Sequence, residues 1–277
     1  MAAAKGLGLE TRGLPERPAL VFLHGFLGAA SDWEPVWPFL TPRYFCVGLD
    51  LPGHGHSVGL DDSAYSLQGA ARLVGDALDG LGLDRCTLVG YSMGGRLALM
   101  LALRNPARWS GVALVSASPG IEDARARAAR AASDEYLAAR LESVSFPARR
   151  GRDALVAFLN DWYRQPLFAS LWENQSLREA VLRRRLQNDP AELARALRGM
   201  GVGVQPPLWD ALGRLDAPVL LVAGERDEKY MGLARRMEGL CKLGRRAIVP
   251  AAGHAVHLEA PEVFSRCLLD YLAAPTV

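Results

Sequence analysis

Gly90-Tyr91-Ser92-Met93-Gly94-Gly95 sits between a short apolar, β-branched run, Cys86-Thr87-Leu88-Val89, and a strong helix former, Arg96 to Leu103. A G-x-S-x-G run in that setting turns a strand sharply into a helix. It lifts the serine hydroxyl off the edge of a sheet, and its glycines let neighbouring backbone come close. A chain with such a turn is committed to strands that alternate with helices.

A serine hydroxyl is a weak nucleophile and a weak base near neutral pH. It acts through an imidazole that takes its proton and a carboxylate that orients the imidazole. Both partners are present downstream. Asp227 closes Ala223-Gly224-Glu225-Arg226-Asp227, after the strand-like run Pro218–Val222, and His254 closes Pro250-Ala251-Ala252-Gly253-His254, after Arg246–Val249. The order Ser, Asp, His is that of α/β-hydrolases. Both partners follow strands, so both fall on loops at one end of the sheet, where a doubly wound sheet presents its site. An earlier strand, Leu20–Leu23, runs into His24-Gly25-Phe26-Leu27-Gly28. The expected oxyanion hole is the backbone N–H of Met93 together with that of Phe26. The plainer reading of the HGF run is a glycine turn, and the triad favours the oxyanion role.

Strands Leu20–Leu23, Tyr44–Leu49, Thr87–Val89 and Val112–Ser116 alternate with helices near Trp33–Leu40, Tyr65–Leu81 and Met93–Arg104. That is a parallel-sheet signature. The pattern resumes at Pro218 and ends with a helix over Pro261–Leu272, whose proline suits the first helical position. Between them, residues 121–204 show helical runs only: Asp123–Arg140, Asp153–Tyr163, Leu177–Leu186 and Pro190–Gly199. The expected architecture is an α/β-hydrolase fold, with a mostly parallel sheet and core residues 1–120 and 205–277. A helical lid over 121–204 follows the sixth strand of the usual scheme. Residues 120–200 hold 14 of the 29 arginines and no lysine or histidine. Most of these arginines read as solvated helix faces. The others matter if the substrate is anionic, because a guanidinium grips a carboxylate through two parallel hydrogen bonds.

With 277 residues, half of them hydrophobic, the chain suits one large α/β domain with an insert. A net charge of +2 gives no strong pull toward nucleic acid or membrane. No run of 18 apolar residues is long enough to span a bilayer, and Met1–Leu9 lack the apolar stretch of a secretory signal. Cys46, Cys86, Cys241 and Cys267 show no C-x-x-C spacing. They read as thiols of a reducing, cytoplasmic compartment. His54 and His56 lack an accompanying cysteine or carboxylate cluster, so neither a metal nor another cofactor is expected. His257 reads as structural, and Arg183-Arg184-Arg185, without interleaved aromatics, is a weak nucleic-acid signal.

The motifs HGF, DLPGHG, GYSMGGR, GERD and AGHAVHLEAP resemble α/β-hydrolases in general. The lid narrows the likeness. Asp161-Trp162-Tyr163-Arg164-Gln165-Pro166-Leu167-Phe168-Ala169-Ser170 resembles the DWYxQPxFASL segment of the 2-succinyl-6-hydroxy-2,4-cyclohexadiene-1-carboxylate synthase family of menaquinone biosynthesis. Gln187-Asn188-Asp189-Pro190 and Gly199 to Pro206 resemble that family too. The likeness runs from about Ala19 to Tyr271 and implies a lyase. Its substrate is a cyclohexene carrying a succinyl arm, a ring carboxylate and an enolpyruvyl ether, from which pyruvate is expelled after loss of a carbon-bound proton. Carried onto this chain, the resemblance implies the triad Ser92, Asp227 and His254, with Tyr91, Arg96, Arg130 and Trp162 at substrate positions. It also implies one arginine of the 183–185 run, best aligned as Arg185, with Arg183 and Arg184 left open. A carboxylester or carbon–carbon-bond hydrolase with the same triad is the rival reading. A ligand-binding receptor is the rival of another class.

Overall fold

The computed structural model describes residues 6–143 and 148–274. Seven strands form one sheet: β1 Leu9–Arg12, β2 Ala19–Leu23, β3 Phe45–Leu49, β4 Cys86–Tyr91, β5 Trp109–Val115, β6 Val219–Gly224 and β7 Gly244–Val249. Their spatial order is β1-β3-β2-β4-β5-β6-β7, and every pairing is parallel except β1 with β3. The order runs one way from β2 to β3 and then crosses back to β4. The carboxyl ends of β2 and β4 therefore flank a switch point, with Leu23 paired to Gly90. A crevice opens at such a point, and both the HGF loop and Ser92 lie at its rim.

The strands read as apolar runs because both faces are covered. Val21 and Leu23 face a cluster with helices α2 (Leu67–Gly80), α3 (Met93–Arg104) and α9 (Glu228–Glu238), through Val74, Leu97 and Met237. Leu20 and Phe22 face the opposite cluster, with α1 (Trp37–Leu40) and α11 (Pro261–Ala273), through Trp37, Phe264 and Leu268. Between β5 and β6 stand α4 (Ala124–Ser143), α5 (Ala148–Tyr163), α6 (Ala169–Glu173), α7 (Gln175–Arg185) and α8 (Pro190–Met200); α10 (Val256–Glu259) follows β7. In this seven-stranded sheet the insert follows the fifth strand. Phe158, Leu159, Phe168 and Val181 of the insert share the cluster of Phe22 and Phe264, while Ala196 and Met200 join the cluster of Val74 and Leu97, so the insert rests on the core through apolar contacts.

Local signals account for the helix starts. Asp189 caps α8 by accepting the Ala191 and Glu192 N–H groups, with Pro190 in the first turn. Asn174 caps α7 through the Leu177 N–H. Three differences from the sequence-based expectation stand out. The helix expected near Trp33–Leu40 is a 3-10 turn, Ala30–Trp33, followed by the short α1; Pro35 lies between them and has no N–H to carry a helix through. Strand β1 has no apolar run to announce it and is held by its antiparallel register on β3. The helix expected from Asp153 begins at Ala148.

Candidate active site

Ser92 sits at φ 50, ψ −108, between β4 and α3. A non-glycine residue adopts that backbone only when its surroundings force it. The force is packing: a Cβ on Gly94 would lie 2.2 Å from the Leu23 carbonyl oxygen, so the first turn of α3 presses directly on β2. The strained turn leaves Ser92 half-buried, with its Oγ 3.3 Å from His254 Nε2. His254 Nδ1 is 2.7 Å from Asp227 Oδ2. The carboxylate accepts the Nδ1 proton, which leaves Nε2 free to accept from the serine. Asp227 also caps α9, its Oδ1 accepting the Tyr230 N–H at 3.2 Å, so both carboxylate oxygens are fixed. Three loops, after β4, β6 and β7, thus bring together residues 92, 227 and 254.

The loop after β2 folds against this serine. A Cβ on Gly25 would fall 3.4 Å from Ser92 Cβ and 2.6 Å from the Tyr91 ring, so only glycine permits the approach. The Gly25 carbonyl accepts the Gly28 N–H at 3.0 Å and the His24 Nδ1 proton at 2.7 Å. In a planar trans peptide the Phe26 N–H points the opposite way, out of that turn. His24 Nε2 accepts the Leu51 N–H at 2.9 Å. Burial holds the His24 imidazole below its ordinary value, consistent with the neutral form that this bonding requires. Met93 opens α3, and the first N–H groups of a helix have no partner inside it.

A cavity of about 210 Å³ gathers most of the expected residues: Phe26, Tyr91, Ser92, Met93, Arg96, Arg130, Trp162, Arg185 and His254. Asp227 stands behind His254. Among the arginines of the 183–185 run, Arg185 lines the cavity. Arg184 lies 3.8 Å from Asp32. The cations differ in how far they are neutralised. Arg185 is buried, donating to Asp32 Oδ1 at 2.7 Å and to the Tyr163 hydroxyl at 2.9 Å. Burial works against its charge, but Asp32 beside it raises its pKa above the ordinary guanidinium value. Arg130 pairs with Asp134 at 2.7 Å. Arg96 is buried against neutral acceptors, the Gln205 side-chain oxygen at 2.8 Å and the Met200 carbonyl at 2.6 Å. Burial lowers its pKa to about 10, so it remains a cation with no carboxylate partner among the described residues.

Aromatic rings wall the rest. Trp162 packs on Phe26 at 5.3 Å, and Phe168 meets His254 edge-on at 5.6 Å. Tyr91 lies 4.5 Å from His257, whose other face covers Trp33 at 4.4 Å. Burial holds the Tyr91 hydroxyl well above its ordinary pKa, so it is a neutral donor. Sequence reasoning missed Lys229, which lines the cavity as one of three lysines in the chain and lies two residues past Asp227. It also missed Asp32 and Asp134, whose partners are 153 and 4 residues away. No local pattern connects Asp32 to Arg185. His54 is buried, its Nε2 accepting the Leu27 N–H at 3.2 Å, and among the described residues no cluster could hold a metal. A larger cleft, about 610 Å³, opens at the other end of the sheet near Ala19, Cys86, Ser110 and Arg245; no triad residue lines it.

No helix among the described residues is long and apolar enough to cross a membrane. Residues 18–261 match the alpha/beta hydrolase fold family. A 2-succinyl-6-hydroxy-2,4-cyclohexadiene-1-carboxylate synthase from Enterobacter sp. (strain 638) is 36% identical over 96% of this chain and 95% of its own length. The enzyme of that name from Salmonella paratyphi A is 36% identical over 90% of this chain and 91% of its own. The solved structure of MenH from S. aureus superposes with a TM-score of 0.86 at 32% identity, covering 95% of this chain and 97% of that one. The chain belongs to the α/β-hydrolase-fold family and, within it, to the 2-succinyl-6-hydroxy-2,4-cyclohexadiene-1-carboxylate synthases.

Proposed function

We propose that this protein eliminates pyruvate from 2-succinyl-5-enolpyruvyl-6-hydroxy-3-cyclohexene-1-carboxylate, a small tricarboxylate, in the cytoplasm and without a cofactor. The observation that carries this reading is a serine–histidine pair inside a cavity lined by four cations: Arg96, Arg130, Arg185 and Lys229. In the product the ring double bond of a 3-cyclohexene has become a 2,4-diene. The proton therefore leaves C2, next to the succinyl ketone. Its electron pair forms C2=C3, the old C3=C4 pair moves to C4=C5, and the C5–O bond breaks with enolpyruvate as leaving group. Enolpyruvate then takes up a proton to become pyruvate.

In this reading Ser92 Oγ takes the C2 proton while passing its own to His254 Nε2, and Asp227 stabilises the resulting imidazolium. Negative charge gathers on the succinyl ketone oxygen, where the Phe26 and Met93 N–H groups serve as the oxyanion hole. Arg96, Arg130 and Arg185 hold carboxylates, Tyr91 donates a hydrogen bond, and Trp162 packs on the ring. Residues 121–204 act as a lid on the core formed by 1–120 and 205–277. The unpaired thiols of Cys46, Cys86, Cys241 and Cys267 suit a reducing compartment. Incubation with the enolpyruvyl cyclohexene, following pyruvate by a coupled dehydrogenase, tests the reading. Rapid release with no adduct on Ser92 in quenched samples is the expected result. A substrate-sized adduct formed and lost at the turnover rate favours the hydrolase instead.

A further inference from the structure

Leu27 follows Phe26 and has φ 67, a backbone conformation that a leucine rarely takes without being held there. Its two peptide groups are tied off from opposite sides. The N–H donates to His54 Nε2 at 3.2 Å, and the carbonyl accepts from Asn188 Nδ2 at 2.8 Å. Asn188 is buried in the turn between α7 and α8, and its Oδ1 accepts the Gly55 N–H at 2.9 Å. The bonding sets the amide's orientation, since a flipped amide would oppose two acceptors at Leu27 and two donors at Gly55. Arg185, the last residue of α7, reaches Asp32. The end of α7 and the turn after it therefore grip the chain after β2 at Leu27 and again five residues further on. Neither grip is local: Asn188 is 161 residues from Leu27.

We propose that Asn188 is a positioning residue for the oxyanion hole. By holding the Leu27 carbonyl it fixes the strained turn that aims the Phe26 N–H, so this donor is aligned only while the α7–α8 turn is docked. The inference rests on the assignment of Phe26 as an oxyanion donor. It implies that any substrate whose carbonyl oxygen gains charge depends on Asn188. A neutral ester that makes no use of the lid arginines shares that dependence.

Full-length Asn188→Asp and Asn188→Ala are compared with the unaltered protein, on p-nitrophenyl acetate and on the enolpyruvyl cyclohexene. Aspartate keeps the shape and can still accept from Gly55, but it sets a carboxylate oxygen against the Leu27 carbonyl. Circular dichroism and thermal midpoints check the fold, and the alanine variant serves if the buried carboxylate prevents folding. The expected result is a fall in kcat of about ten- to a hundredfold on both substrates. That is somewhat less than the loss of a whole oxyanion donor. KM should stay within about twofold, and aspartate should be no better than alanine. The proposal is overturned if Asn188→Asp retains wild-type kcat on the ester, or if aspartate restores what alanine loses, as a packing role would. It is also overturned if the loss lies in KM of the tri-anion alone. Absence of pyruvate release by the unaltered protein counts against the lyase reading only, because the ester arm reads the clamp on its own.

Discussion

At the scale of single residues, the proposed reaction divides the site into groups that react and groups that hold. Ser92→Ala removes only a hydroxyl from a half-buried turn, so the fold should survive while kcat/KM falls by about a thousandfold or more. Asp227→Asn added to it should cost little further, because the three residues act as one unit. Retention of more than about a tenth of wild-type kcat/KM by Ser92→Ala would remove Ser92 from the chemistry. Lys229 is exposed at the cavity, with its ammonium 5.6 Å from the Tyr230 ring. Lys229→Gln should raise KM for the tri-anionic substrate about two- to fivefold, the scale of an exposed charge interaction. It should also flatten the dependence of KM on salt. The ester rate should not move, and a KM indifferent to salt in both proteins would deny Lys229 that role. The grouping of Ser92, Asp227 and His254 was legible in the sequence because each follows a strand and carries its own local motif. Lys229 was not, because nothing in Glu228-Lys229-Tyr230 tells which side of α9 meets the cavity.

At the scale of elements, charge ties the insert's helices to one another and to the core, and the two kinds of pair differ greatly in worth. Arg198 of α8 bridges Glu135 and Glu142 of α4 at the surface. Such exposed pairs are screened by water and salt and contribute little, so Arg198→Ala should leave the urea midpoint almost unchanged. Asp32 and Arg185 are both buried. Asp32→Ala leaves a guanidinium uncompensated away from water and should cost about 3–5 kcal/mol. Asp32→Ala together with Arg185→Met should recover much of that loss in urea titrations, though not the activity. A single loss no larger than that of Arg198→Ala would show the pair to be solvent-screened. The helix start at Pro190 was legible, whereas the helix expected from Leu177 begins two residues earlier, at Gln175 under its Asn174 cap. The placing of α7 over Asp32 was not legible, because it depends on apolar packing between segments far apart in the chain.

At the scale of the whole molecule, His24, His54 and His257 are buried and held neutral. Burial holds all three imidazoles below the ordinary value of 6.5, and His257, pressed between Trp33 and Tyr91, falls to about 3. Asp32 partly opposes this at His24 and His257 and Asp50 at His24, while Arg185 reinforces it at all three. The unfolded chain takes up these protons near pH 6.5 and the folded chain does not. Stability is therefore full above that pH and falls as the pH drops below it, continuing toward pH 3 for His257. His257 costs about 1 kcal/mol over the first unit below 6.5, and His24 and His54 act in the same direction, so the urea midpoint should fall between pH 6.5 and 5. A flat profile would mean that these rings are protonated in the fold. The alternation of strands and helices made the sheet legible as far as its β7 border, yet the other border was not, since β1 has no apolar run. Those borders matter beyond the single molecule. The sheet ends at β1, four residues long, and at β7, where Arg245 and Arg246 are both exposed. A short strand and paired guanidinium groups are poor templates for another chain's backbone. Crowded at high concentration, copies of this protein should resist the strand-on-strand growth that leads to fibrils, and remain native where a bare β7 would seed aggregation.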